Sequence, residues 1–232
     1  MGKSNIARSI SPAQELLLAM APIQDVIESF KSAKPSKSST EVGEQDLFSA
    51  LVNSCRGEYS PSERYLKALI KLYISQLQNE PESDSLVELV FDATMSREAF
   101  PDPNESSYLS FFIPTTTPSD IENTNVPFLR IRQFPYHNDV SLRLWEAGAC
   151  LAEFFLENKS MVSGKRVIEL GAGVGATGLV IAGCCNATSV HLTDYTDVCR
   201  VNLEHNISIN KEWLSTAKTK CVVSQVSSLE VN

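Results

Sequence analysis

Apolar residues recur at helical spacing through the N-terminal part of the chain. In "SPAQELLLAMAPIQDVIESF", residues 11 to 30, they stand on both sides of Pro22, which predicts one helix or two. The polar, proline-containing "KSAKPSKSST" that follows predicts a linker. A short helix is predicted over "EQDLFSALVNS". Ser60, Pro61 and Glu63 offer an N-cap, a proline at the first helical position and the reciprocal glutamate of a capping box, so a helix is expected from there to about Gln78. Leu66, Leu69, Ile70, Tyr73 and Leu77 form its apolar stripe, and "DSLVELVFDATMS" offers a matching face, so these helices are expected to pack as a layer.

The period then shortens. "SYLSFFIP" and "VPFLRIRQF" are aromatic and β-branched and read as strands, joined through the turn-rich "TTTPSDIENTN" into an antiparallel hairpin. Beyond residue 136 helix and strand alternate. Asn138 or Asp139 can cap a helix "VSLRLWEAGACLAEFFLEN", and Ser163-Gly164 turns the chain. "RVIEL" is then a strand, "GATGLVIAGC" a helix, "SVHLTD" a strand, "VCRVNLEHNISIN" a helix and "TKCVVSQV" a strand. This βαβαβ order implies a parallel sheet with right-handed crossovers. The expected organisation is a helical extension over 1–100 with a linker near 31–45, a β-hairpin over 101–135, and an α/β region over 136–232.

Composition narrows the function. A chain of 232 residues with 43% hydrophobic residues can bury a substantial core. Its net charge of −8 and scattered Lys and Arg residues offer no basic stripe, so nucleic acid is not an expected partner. The six cysteines include no C-x-x-C pair and no Cys/His grouping at zinc-ligand spacing. They read as reduced thiols, four of them (Cys150, Cys184, Cys185, Cys199) inside predicted helices, which favours an intracellular, cytoplasmic setting. No metal site, secretory signal or membrane-spanning segment is expected; "MGKSNI" departs from the myristoylation pattern at Ile6, and Lys3 and Arg8 ahead of any acid leave an organellar presequence open. His137, His191 and His205 have no nucleophile elbow to serve and read as structural or surface residues.

Five glycines crowd into "RVIELGAGVGATGLVIAG", residues 166 to 183. Gly171, Gly173 and Gly175 fall between a strand end and a helix start, where glycine permits tight turning and lets a nucleotide-like ligand lie against peptide groups. A P-loop is excluded because Leu179, not Lys, follows Gly178. The dinucleotide fingerprint is present as Gly173, Gly175 and Gly178, which keeps a nicotinamide or flavin reading open. The neighbours point elsewhere. Glu169 at the strand end would repel a pyrophosphate but could face an amino group or sulfonium, and Asp194, ending the next strand, stands where a carboxylate accepts ribose hydroxyls. Plainer roles are also open to them: an ion pair for Glu169 and a helix cap for Asp194.

"VIELGAGVGATGLVIA", followed by "VHLTDY" and "NLEHNISIN" and preceded by "LRLWEAGACLAEFF", resembles the seven-β-strand S-adenosyl-L-methionine methyltransferases. The resemblance is closest to the eukaryotic protein-lysine methyltransferases acting on elongation factors and chaperones, and covers roughly residues 136 to 226. It implies a Rossmann-like, class I methyltransferase α/β fold and S-adenosyl-L-methionine as cofactor. It also implies that Trp145 lines the cofactor site, that Gly171, Ala172 and Gly173 approach the ligand through the backbone, that Asp194 holds the ribose, and that Glu169 orients the methionine end. Trp145 on an apolar helix could equally be core. The implied partner is a protein substrate, a translation elongation factor or a chaperone, and the helical extension resembles that of the elongation factor 2 lysine methyltransferases.

No catalytic residue is assigned. The family's D-x-x-Y-like motif is absent, and Trp213 falls before the third strand, the wrong side for its adenine-stacking tryptophan. The expectation is therefore a truncated product carrying the N-terminal half of a methyltransferase domain, with an open edge on its first strand. The alternatives are a nicotinamide-dependent oxidoreductase and a non-catalytic interaction protein.

Overall fold

A computed structural model describes residues 11–33, 43–77, 81–95, 102–112, 128–217 and 219–225. The chain divides into two units: Met1–Phe100 with Tyr108–Val126, and Pro101–Ser107 with Pro127–Asn232.

The first unit is built from helices α1 (Pro12–Leu18), α2 (Ile23–Ser32), α3 (Glu44–Ser54), α4 (Glu63–Ser75) and α5 (Asp84–Met95). Pro22 separates α1 from α2, because proline at the cap of a helix costs no internal hydrogen bond. Most of the expected linker, 34–42, lies outside the described residues. The expected cap of α4 is displaced by two residues. Ser62, not Ser60, accepts the Tyr65 amide at 3.3 Å, while the Ser60 carbonyl accepts the Tyr108 amide at 3.1 Å. Pro61 therefore precedes the cap. The apolar stripes meet as anticipated: Leu17, Ile27, Phe48, Leu66, Leu69, Ile70, Tyr73 and Leu86 are fully buried together, each such side chain contributing about 1.5–3 kcal/mol. Phe48 and Tyr73 stack at its centre, ring centroids 3.7 Å apart.

Both strands expected of the hairpin form, as β1 (Ser107–Phe112) and β2 (Phe128–Gln133); the expected turn between them lies outside the described residues.

In the second unit a 3-10 turn, Val140–Leu142, leads to α6 (Glu146–Glu157), β3 (Arg166–Leu170), α7 (Ala176–Cys184), β4 (Ser189–Asp194), α8 (Asp197–Ile209), the short α9 (Lys211–Thr216) and β5 (Lys220–Gln225). The three strands form a parallel sheet in the order β3-β4-β5. Arg166 stands opposite Ser189 and Leu170 opposite Thr193, while Ser189 in turn stands opposite Lys220. This is the expected βαβαβ unit and the α/β fold of the class I methyltransferase type. On one face Val190 and Leu192 are buried beneath α7. On the other, Ile168 and Leu170 remain 62% and 73% exposed.

The single helix expected over 140–158 is broken. Asp139 caps the 3-10 turn by accepting the Ser141 amide at 3.0 Å, Arg143 is extended, and the Gln133 side chain accepts the Leu144 amide at 3.2 Å. These contacts satisfy locally the groups that a continuous helix would use. Trp145 is consequently the N-cap residue of α6 rather than part of its apolar stripe. Among the described residues no helix is long and apolar enough to cross a membrane.

Candidate functional site

The chain leaves β3 at Leu170 and bends through three left-handed glycines, Gly171 (φ 66°), Gly173 (φ 54°) and Gly175 (φ 82°), before α7 begins. Left-handed backbone is costly for residues with a Cβ, which explains the glycines locally. The bend is tied to itself and to the sheet: Gly175 donates to the Ala172 carbonyl at 2.8 Å, and Ala172 donates to Thr193 at 2.9 Å.

Polar groups from β4 and α8 hold the bend from behind. Asp194 Oδ2 accepts the Gly173 amide at 3.0 Å and Oδ1 accepts the Tyr195 amide at 2.8 Å. The Cys199 thiol donates to the Gly173 carbonyl at 3.1 Å. Asn206 Nδ2 donates to the Val174 carbonyl at 2.9 Å. Burial pushes the Cys199 thiol up to about 12, so it stays protonated and able to donate.

What lies close to each glycine separates packing from ligand access. A Cβ on Gly173 would stand 3.2 Å from the Ser141 carbonyl, and one on Gly175 2.7 Å from Leu203. On Gly178 it would stand 2.1 Å from Leu192 and 2.5 Å from Glu169 Oε2, and on Gly183 2.1 Å from the Trp213 ring. At Gly183 the Trp213 ring excludes a side chain, at Gly175 and Gly178 the leucine and glutamate ends would have to shift, and at Gly173 the Ser141 carbonyl would have to give slightly. Among the described residues nothing approaches a Cβ on Gly171, alone of the five.

Glu169 lies beneath the first turn of α7. Its Oε2 is buried and has no hydrogen-bond partner among the described residues. Burial pushes its pKa up to about 7. Trp145 is 47% exposed; its Nε1 donates to the Val140 carbonyl at 2.8 Å, and the Arg143 guanidinium lies over the ring at 3.8 Å. One turn further, the Gly148 carbonyl accepts from Thr177 at 3.0 Å, which joins the start of α6 to the start of α7.

The structure thus brings Gly171, Ala172, Gly173, Gly175 and Asp194 together at one bend, with Glu169 under the helix that follows. Ser141, Cys199 and Asn206 were not singled out from the sequence. The one available signal was the spacing of Asn202, Asn206 and Asn210 at every fourth residue, where a solvated helix face would carry Lys or Glu.

Residues 123–227 match the family described as "Lysine methyltransferase". Mouse protein-lysine N-methyltransferase EEF2KMT is 23% identical over 155 residues, covering 66% of this chain and 43% of that protein. Protein-lysine N-methyltransferase EFM3 of Chaetomium thermophilum is 24% identical over 160 residues, 65% of this chain and 47% of that protein. Schizosaccharomyces pombe protein N-terminal and lysine N-methyltransferase efm7 is 33% identical over 112 residues, 48% of this chain and 40% of that protein. The chain spans less than half the length of these relatives. Residues 123–227 of the chain are thus similar to the lysine methyltransferase family.

Proposed function

We propose that the chain binds S-adenosyl-L-methionine at the glycine bend and serves the transfer of its methyl group to a lysine of a protein substrate. The observation that carries this reading is the open space at Gly171, the one glycine of the bend whose Cβ position no described residue approaches, within a segment matching the lysine methyltransferases.

The residues fit the cofactor chemically. A carboxylate has about four lone-pair sites, so Asp194 can accept two ribose hydroxyls while keeping its bonds to Gly173 and Tyr195. With no partner among the described residues, Oε2 of Glu169 suits a cationic amino group, whose charge would favour the ionised carboxyl. Gly171 and Ala172 let the ligand approach the backbone, and Trp145 supplies a half-exposed aromatic wall. The bound cofactor supplies an electrophilic methyl on a sulfonium. This chain's own residues bind and orient it, and no catalytic residue is assigned.

A lysine acceptor has to shed its proton, which a desolvating pocket promotes by lowering its pKa. The substrate we favour is a translation elongation factor or a chaperone, met in the cytoplasm, where the free cysteines stay reduced. Calorimetric titration with S-adenosylhomocysteine and, separately, with NADH tests the site. Binding of the first and not the second is expected, and preferential binding of NADH would overturn the reading. Incubation with cell extract and methyl-labelled cofactor tests the reaction, and the labelled band identifies the substrate.

A further inference from the structure

The polar stripe of α8 does not face water. Asn202, Asn206 and Asn210 are all buried, Asn206 completely. Four helical residues advance about 6 Å and two strand residues about 6.6–6.8 Å, so amides at this spacing can follow alternate residues of a strand. They do so along β2. Asn210 Oδ1 accepts the Arg130 amide at 2.9 Å and its Nδ2 donates to the Arg130 carbonyl at 2.7 Å. Asn206 repeats the pair on Arg132, accepting at 2.8 Å and donating at 3.2 Å. Asn202 adds a donation to the same carbonyl at 3.2 Å and accepts Arg132 Nε at 2.8 Å.

Asn206 differs from its two neighbours in one respect: it also reaches the glycine bend. Its Nδ2 serves the Val174 carbonyl as well as that of Arg132, so both amide hydrogens and the oxygen are engaged. The reverse orientation of the amide would set its oxygen against two carbonyls. Beyond Arg132, the next residues of the strand grip the segment before α6: Leu144 donates to the Gln133 side chain at 3.2 Å, and Phe134 donates to the Leu142 carbonyl at 2.7 Å. The Ser141 carbonyl of that segment closes on Gly173. A continuous path of hydrogen bonds and contacts therefore runs from the bend, through Asn206 and β2, to the turn that presents Trp145.

We propose that Asn206 is a positioning residue of the cofactor site, locking the glycine bend and the Trp145 segment into one rigid frame; its effect on cofactor affinity rests on the function proposed above. Asn210 makes the same bonds to β2, and donates to the Asn206 carbonyl at 2.7 Å, without touching the bend, and is the internal control.

The test compares Asn206→Leu and Asn210→Leu, with Asn206→Ser as the milder change should the first fail to fold. Hydrogen exchange is followed without ligand over residues 128–134, 140–147 and 171–178, and S-adenosylhomocysteine affinity is measured well below the unfolding temperature of each variant. Loss of a buried amide with three partners is expected to speed exchange about tenfold or more over 171–178 and 140–147, and to weaken binding about tenfold. Asn210→Leu is expected to act on 128–134 and the last turn of α8, to spare 171–178 and 140–147, and to leave affinity within about twofold. The proposal is overturned if the Asn206 variants leave exchange over 171–178 at the native rate, or if Asn210→Leu weakens binding equally. Should the unaltered chain not bind S-adenosylhomocysteine, the cofactor reading fails and the exchange measurement still decides the positioning role.

Discussion

The carboxylate of Asp194 holds the amide of Gly173 at 3.0 Å, so the acid at the end of one strand shapes the bend that follows its neighbour. Its second oxygen is fixed by the Tyr195 amide at 2.8 Å. A side chain assigned to the ligand on sequence grounds thus also has a structural duty, and the two can be separated by experiment.

Asp194→Asn keeps an acceptor for only one of the two amides and turns an N–H toward the other. Because a buried donor left unmatched costs about 1–3 kcal/mol, the variant should unfold at lower denaturant concentration by that amount. S-adenosylhomocysteine binding should fall further than stability explains. Urea titration with parallel calorimetry checks both, and unchanged affinity would remove Asp194 from the ligand site.

Alanine at Gly178 and at Gly171 should fail for different reasons. At Gly178 the new methyl would lie 2.1 Å from Leu192 and 2.5 Å from Glu169 Oε2, an overpacking that costs about 1–3 kcal/mol or more. At Gly171 there is space, but the φ of 66° makes a Cβ unfavourable by about 1–2 kcal/mol, and the methyl would project where the cofactor is proposed to lie. Gly178→Ala should therefore lower the unfolding temperature more, and Gly171→Ala should lower affinity more, as thermal melts with and without ligand would show.

Glu169 makes stability depend on pH. Burial raises its folded pKa from 4.5 to about 7, so its contribution is fully present below about pH 4.5 and is lost as pH rises through about 7. The loss across that window is about 3 kcal/mol. Glu169→Gln should flatten the profile and be the more stable protein at pH 8, measured by urea unfolding at a series of pH values. An unchanged profile would show that the carboxyl is not desolvated.

The same group should report on the ligand. A bound ammonium favours the ionised carboxyl, so binding of S-adenosylhomocysteine near pH 6.5 should release a proton from Glu169. Titration calorimetry in buffers of differing ionisation enthalpy measures that release, and Glu169→Gln should abolish it.

The βαβαβ unit was legible because its strands are short apolar runs and its bend is written in glycine: "RVIEL" and "SVHLTD" coincide with β3 and β4 from end to end. The stretch before it misled. Its apolar periodicity runs unbroken from Val140 to Phe155, yet Asp139, Gln133 and the extended Arg143 interrupt the helix through contacts that periodicity does not register. The capping signal at Ser60 failed for a related reason, since that carbonyl is taken by Tyr108, far along the chain. At the site, Gly171 and Gly178 look alike in the sequence, and only their neighbours reveal that one faces open space and the other a strand. The role of the asparagines of α8 was not legible, because burial of three amides requires partners that lie some seventy to eighty residues upstream.

Those amides carry a consequence for behaviour in solution. Strand edges with vacant donors and acceptors invite other chains to add to them, and proteins suppress such growth with charges, bulges or covering loops. Here the backbone groups of Arg130 and Arg132 that face α8 are already spoken for by Asn210 and Asn206. Side-chain amides act as a counterfeit neighbouring strand that cannot itself be extended, so losing them would leave a protein that clumps as well as one that loosens.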